Sequence, residues 1–507
     1  MAETNGNLHL TSGRLLARNT VWNLLGQAVP MAVGLITIPA IIRGIGVDRF
    51  GVLSLVWVVI GYFSLFDLGI GRALTKFVAD KLGANEEHSI PALACTSLSL
   101  MFALGSVAAV VIFVSSPLLV DRMLKVPTDL QSETLRTFYL LALTTPIVTI
   151  TAGLRGILDA LQSFRIANLI RIPMSIFSFV APLLVLPFSH SLVAVVSVLV
   201  VSRFIGCGVH LWACLRVFPA LFQKFSLDRS AILPLAKFGG WITVNNVIGP
   251  LMFYVDRFLV GALLSVSAIA YYTAPVDMVL RLAMIPGALV GVLFPAFATS
   301  FNQDPVRCGV LLARGLKYIY LIIFPIVLII VTFAPEALKL WLGPSFSAQG
   351  TIVLRLAAAG VFINSLSTLP FGLIQGVGRP DITAYMLAAE FPVYAAVLWT
   401  FTRWLGIEGT AVAWTGRLAA EAIVVFFLSD WLLPRTPRLL FKQSLFIGCG
   451  LAVLYVASIP KEIGTKLFFI SFVFLTFALM IWRWGLTPGE REFVVSLSGR
   501  LLPAHPS

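Results

Sequence analysis

Apolar stretches long enough to cross a bilayer recur along almost the whole chain, and that recurrence leaves few folds open. They fall at about 20–42, 50–70, 91–119, 137–157, 168–188, 191–215, 238–261, 268–298, 308–333, 351–374, 382–402, 409–429, 444–459 and 467–484. A hydrocarbon core needs about 20 apolar residues per helical crossing. Of the 507 residues 59% are hydrophobic and only 12% charged, where a soluble domain carries about 25% charged residues. Lipid offers backbone N–H and C=O groups no outside partner, so the spans read as helices. The alternating ten-residue strands of a membrane barrel do not occur in the sequence. The expected fold is an all-α polytopic membrane protein with about 14 transmembrane helices.

The net charge of +13 has a ready explanation in that setting. Cytoplasmic loops of membrane proteins collect Lys and Arg, so no nucleic-acid partner is expected. With the N-terminus placed in the cytoplasm, 22 basic residues fall on that side and 10 opposite, with four inside spans. The bias puts both termini in the cytoplasm. The polar stretch Met1–Thr20 leads into the first span without a small-residue cleavage site, so that span reads as retained.

No enzymatic constellation is legible. Cys95, Cys207, Cys214, Cys308 and Cys449 lie in or beside apolar spans without CxxC spacing, and the five histidines are scattered. Neither a GxxxxGK[ST] phosphate loop nor a GxSxG motif occurs. The expectation is a non-enzyme with no cofactor and no metal, driven by an ion gradient, the membrane potential or the gradient of its cargo.

The chain also repeats. Ala17–Ala79 lies on Ala236–Ala298 without a gap at an offset of 219, which carries Trp22 onto Trp241. The same offset carries Leu135-Arg136 onto Leu354-Arg355, Gly153-Leu154 onto Gly372-Leu373 and Pro173 onto Pro392. The unit holds six spans, an even number, so both copies enter the membrane in the same direction, as parallel repeats do. The expected organisation is a cytoplasmic segment 1–19, an N-lobe 20–215, a cytoplasmic linker 216–237 and a C-lobe 238–430. Extra helices at 431–484 and a cytoplasmic tail 485–507 follow.

Charges inside spans are the candidate functional residues, because each costs about 3 kcal/mol at the bilayer centre unless paired or wet. Arg155 and Asp159, Asp277 and Arg281, and Arg417 and Glu421 stand at i, i+4, on one helical face. Such spacing serves either charge neutralisation within a helix or the wall of a polar cavity. Asp277 and Arg281 occupy span eight, the counterpart of span two with Asp67, Arg72 and Lys76. Arg72 and Lys76 repel one another at i, i+4, which suits a membrane interface or an anionic ligand. Arg171 and Glu390 take matching places in spans five and eleven, each two residues before a proline, where a helix kinks or ends. Asp256 and Arg257 are neighbours, about 100° apart on a helix, and so need different partners. Upstream in the same span, Asn245 and Asn246 are ready for interhelical hydrogen bonds.

The segments Gly46-Val47-Asp48-Arg49-Phe50-Gly51 and Phe66-Asp67-Leu68-Gly69-Ile70-Gly71-Arg72-Ala73 resemble the opening of bacterial polysaccharide transporters. These are the O-antigen-type flippases of the multidrug/oligosaccharidyl-lipid/polysaccharide exporter superfamily. Leu340-Trp341-Leu342-Gly343, Gly376-Val377-Gly378-Arg379 and Gly406-Ile407-Glu408-Gly409-Thr410-Ala411 look like the same family. The resemblance covers roughly 15–430. It implies two six-helix lobes around a central cavity, alternating access and a bacterial inner-membrane location. It also implies a polyprenyl-diphosphate-linked oligosaccharide carried from the cytoplasmic to the periplasmic leaflet.

Membrane lipids and the polymerase or glycosyltransferases of glycan synthesis are the expected partners. The cavity candidates are Arg72, Asp277, Arg281, Glu390, Arg171, Arg417 and Glu421, with Asp277 or Glu390 for proton coupling. A cation-coupled drug exporter of the same superfamily and a non-transporting scaffold of a glycan-synthesis complex are the competing readings.

Overall fold

The computed structural model describes residues 29–30, 32–62, 69–84, 86–161, 163–222, 226–433, 439–485 and 491. The expected segment 1–19, Asp67 and most of the tail 485–507 lie outside them, as do the side chains of Asn245 and Asn246. Among the described residues every regular element is helical. Among these residues nine helices are long and apolar enough to cross a membrane, and two shorter apolar ones cover Ala32–Ile45 and Phe446–Ala457.

The elements in chain order are α1 (Ala32–Ile45), α2 (Val47–Tyr62), α3 (Ile70–Gly83), α4 (Ile90–Pro117), α5 (Thr128–Ala160), α6 (Phe164–Val185) and α7 (Leu192–Val217). After them come α8 (Arg229–Leu263), α9 (Val266–Leu280), α10 (Met284–Gln303), α11 (Pro305–Thr332) and the short α12 (Ala334–Leu342). The last are α13 (Pro344–Gly376), α14 (Pro380–Leu432), α15 (Leu439–Ala457) and α16 (Ile463–Met480). The internal repeat reappears in the elements: α2 starts at Val47 and α9 at Val266, 219 residues on.

Two joints depart from simple spans. The stretch expected as one helix over 268–298 tightens into a 3₁₀ turn at Arg281–Ala283, between α9 and α10. The spans expected at 382–402 and 409–429 run together in α14, where Gly406 has φ 63° and ψ −143°. At Gly406 the chain reverses. The hydroxyls of Thr402 and Thr410 stand 2.9 Å apart, whereas eight residues of straight helix would separate them by about 12 Å. Pro173 and Pro392 lie inside their helices and do not end them.

The chain divides into two compact units, residues 1–284 with 380–414, and residues 285–379 with 415–507. In the first, α3, α4, α5 and α7 enclose a core of Leu74, Leu98, Met101, Leu154, Ile157 and Cys214. Close approaches depend on glycine: a Cβ on Gly156 would meet the Gly71 carbonyl at 2.8 Å. The outward side of α4 carries Phe102, Val107, Val110, Val111 and Val114, all at least half exposed.

The first unit takes in α8 and α9 because the two repeats meet at one end. There a Cβ on Gly51 of α2 would lie 1.9 Å from the carbonyl oxygen of Val266. The Lys125 backbone N–H donates to the Gly261 carbonyl at 2.9 Å, and its ammonium donates to the Leu263 carbonyl at 2.5 Å. The Leu263 carbonyl at the end of α8 is thus capped by a cation, as the helix dipole favours. At the same end Glu133 of α5 accepts from Arg49 (3.0 Å), from the Ser191 hydroxyl (2.8 Å) and from the Leu192 N–H.

In the second unit, Tyr320 and Phe324 of α11 pack on Phe362 of α13 and Phe477 of α16, and Tyr320 also meets Phe446 of α15. Lys466 of α16, 1% exposed, donates to both carboxylate oxygens of Glu336 on α12 at 2.6 and 2.8 Å. Burial opposes ionisation of Glu336, but the bonded Lys466 ammonium outweighs it, and the carboxyl is held below its ordinary range.

Candidate functional site

A buried charge cluster joins α8 to α9 in the first unit. Asp256 is 1% exposed; one of its oxygens accepts the Tyr272 hydroxyl at 2.6 Å and the other accepts the Arg257 N–H at 2.7 Å. The Arg257 guanidinium turns away, lies 4.7 Å from the Tyr254 ring centre and donates to Asp277 at 2.5 Å. The neighbours Asp256 and Arg257 therefore do take separate partners, as their angular spacing requires.

The i, i+4 pair expected between Asp277 and Arg281 is not what forms. Asp277 is taken by Arg257 from the adjacent helix. Arg281 lies in the 3₁₀ turn, where the i, i+4 alignment of an α-helix is lost. Its guanidinium is 5.6 Å from the Phe179 ring centre on α6 and comes to 3.3 Å from where a Gly34 Cβ would stand on α1.

A second group converges on the same stretch of α6. Arg203 of α7 donates to the Ser178 hydroxyl at 3.2 Å. Trp57 of α2 packs on Phe179 with ring centres 5.4 Å apart. Trp57 Nε1, Arg203 Nε and Arg281 Nε are buried and have no acceptor among the described residues. Nor does either guanidinium form an ion pair with a carboxylate among those residues. A buried donor left unmade costs about 1–3 kcal/mol, and more when charged. All three side chains touch Ser178 or Phe179 of α6, and these N–H groups lack an acceptor among the described residues.

The remaining candidates are placed as follows. Arg72 and Lys76 are exposed on α3. Arg171, two turns from Ser178 on α6, lies in the field of Arg155 and Asp159, which are themselves paired at 3.7 Å. Glu390 is half-buried, one turn before Tyr394, which neighbours Tyr272. Arg417 and Glu421 belong to the second unit and form their i, i+4 pair at 3.4 Å, with side chains 2% and 12% exposed. Arg203, Trp57 and the partnership of Arg257 are not among the features that residue spacing singles out. Arg203 carries a usable signal, since Leu192–Val217 holds no Asp or Glu. The other two depend on which helices become neighbours.

Helices long and apolar enough to cross a membrane, polar clusters buried between them and no strand among the described residues define a multi-pass helical membrane protein. The fold is that of the MATE and MOP transporters. A MATE family multidrug resistance transporter of the MOP superfamily in its inward-facing conformation aligns with TM-score 0.66 at 15% identity, over 83% of this chain and 96% of that one. A MOP superfamily transporter from Pyrococcus furiosus aligns with TM-score 0.55 at 15% identity, over 81% and 95%.

Residues 16–301 match the family described as polysaccharide biosynthesis protein, and the chain belongs to that family. A Shigella flexneri protein named "Putative O-antigen transporter" is 28% identical over 427 residues, 82% of this chain and 97% of its own. A Bacillus subtilis (strain 168) protein, "Uncharacterized membrane protein EpsK", is 21% identical over 397 residues, 74% and 75% of the two chains.

Proposed function

We propose that this protein is a flippase that carries a polyprenyl-diphosphate-linked oligosaccharide from the cytoplasmic to the periplasmic leaflet of a bacterial inner membrane. The observation that carries the reading is the donor-rich group around Ser178 and Phe179. Arg203, Arg281 and Trp57 offer N–H donors there without acceptors. A diphosphate is all acceptors, and a guanidinium meets it with paired hydrogen bonds. Membership of a polysaccharide family and the O-antigen relative support the sugar part of the cargo. A cation exporter would instead need acceptors facing its cargo. The chain acts here as a carrier and not as an enzyme.

In this reading the lobes 20–215 and 238–430 alternate access to the site, and both termini lie in the cytoplasm. The clasp of Lys125 on α8 and the contact of Gly51 with Val266 then stand at the periplasmic end. They part when the cargo leaves. Asp277 and Glu390 remain the groups through which a proton gradient would act, and Arg417 and Glu421 a second polar surface. Arg72 and Arg171 serve the cytoplasmic approach.

The test is depletion of the protein in its host, followed by measurement of lipid-linked repeat units. They should accumulate on the cytoplasmic side while surface glycan falls; normal glycan with no accumulation refutes the proposal. At matched protein levels Arg281→Ala should reduce transport by an order of magnitude or more, whereas Arg122→Ala, an exposed control, should leave it unchanged. Equal transport by the two variants removes Arg281 from the site.

A further inference from the structure

Two carboxylates share the α8–α9 cluster, and they are held differently. Asp256 is 1% exposed and engaged at both oxygens. The side chain of Asp277 is 29% exposed and that of its partner Arg257 only 5%. Arg257 Nε is buried without an acceptor among the described residues, so the pair is joined at Nη2 alone. Solvent therefore reaches the pair mainly at Asp277. One turn further along stands Arg281, which has no ion pair among the described residues.

We infer that Asp277 is an internal counter-ion, seated on Arg257 while the site is empty and displaced by the diphosphate headgroup of the lipid-linked cargo. This inference rests on the flippase reading. The exchange trades one anion for another on the same guanidinium, so the buried cation is never left bare, a state that would be strongly unfavourable. It also sets selectivity. A neutral or cationic compound cannot take the place of a carboxylate on an arginine, whereas a diphosphate can meet Arg257 and Arg281 with several oxygens at once. Asp256 holds Tyr272 and the α8 backbone in place throughout. Asp277 is thus a specificity residue that acts by competition and contributes no favourable contact to the cargo.

The experiment measures binding of farnesyl diphosphate, a short prenyl chain on the same headgroup, and of inorganic pyrophosphate. It uses the full-length protein in lipid nanodiscs. Asp277→Asn removes the competitor and should tighten farnesyl diphosphate binding by about tenfold, the equivalent of about 1.4 kcal/mol. Asp277→Glu keeps the competitor and should bind like wild type, and Arg257→Gln should lose binding. Unchanged or weaker binding by Asp277→Asn overturns the inference. Tightening for pyrophosphate but not for farnesyl diphosphate overturns the assignment to a lipid headgroup and points to a free anion.

A wild-type measurement guards against a variant that does not fold. Farnesyl diphosphate should increase carbodiimide labelling of Asp277, read by peptide mass spectrometry, because the displaced carboxylate is freed; unchanged or reduced labelling overturns displacement. Loss of lipid-linked precursor transport in the host is scored separately. A protein that binds diphosphates as described but does not affect those precursors refutes the flippase reading and not the exchange.

Discussion

Gly51 shows how one missing methyl group sets the geometry at the end where the repeats meet. With its Cβ position 1.9 Å from the Val266 carbonyl oxygen, even alanine cannot be accommodated without moving α2 away from α9. Gly51→Ala should therefore part the two helices at that end. A cysteine placed at Ser265 should then react several-fold faster with a membrane-impermeant maleimide, and equal rates would show that the seam tolerates the methyl. Arg203 makes a parallel point in charge. It has one hydroxyl partner and a buried Nε without an acceptor, so its desolvation is only partly offset within the described residues. Arg203→Gln should lower transport by at least about tenfold while leaving the unfolding temperature within a few degrees. An arginine kept only for packing would show the reverse pattern, a large thermal effect and near-normal transport.

At the scale of the element, the family-like motifs turn out to mark joints. Gly46, Gly69, Gly343, Gly378 and Gly406 all have positive φ, and each lies in or beside one of the motif segments. Gly406 is the most demanding, at φ 63° and ψ −143°, a region that only glycine enters without strain of about 1–3 kcal/mol. Gly406→Ala should lower the thermal unfolding midpoint of the purified protein, and an unchanged midpoint would show that the hairpin adopts another turn. The two spans meeting at this glycine were legible as separate apolar runs. The 3₁₀ break at Arg281–Ala283 has its signal further along, in Pro286, which has no N–H for the Leu282 carbonyl four residues before it. That break moves Arg281 away from the alignment on which an i, i+4 pairing with Asp277 depends.

For the whole molecule, an ion pair and an aromatic cluster hold the helices beyond the repeat among the described residues. Lys466 and Glu336 join α16 to α12. Glu336 titrates below its ordinary value in the folded protein. Its contribution to stability is therefore present above the ordinary carboxylate range and is lost as pH falls through the lowered value. Glu336→Gln should destabilise the protein at neutral pH, and the difference from wild type should shrink on acidification below about pH 4. A difference that stays constant down to pH 3 would assign the effect to packing. The carboxylate side chain is 37% exposed, so solvent screens the pair and the effect should be modest.

The membrane class and the helical fold were written into the sequence because each depends on local order: runs of apolar residues and the demand of lipid for internal backbone bonding. Spacing along one helix also found the Arg417–Glu421 pair, since i and i+4 meet wherever the helix continues. What only the tertiary structure decided is which charges share a partner across helices. Arg257 claims Asp277, Tyr272 claims Asp256, and Arg203, Arg281 and Trp57 gather on one stretch of α6 from three other parts of the chain. Ion pairs and stranded donors are properties of neighbours in space, and in a helical membrane protein those neighbours are set by which faces pack, at sequence separations no local period encodes.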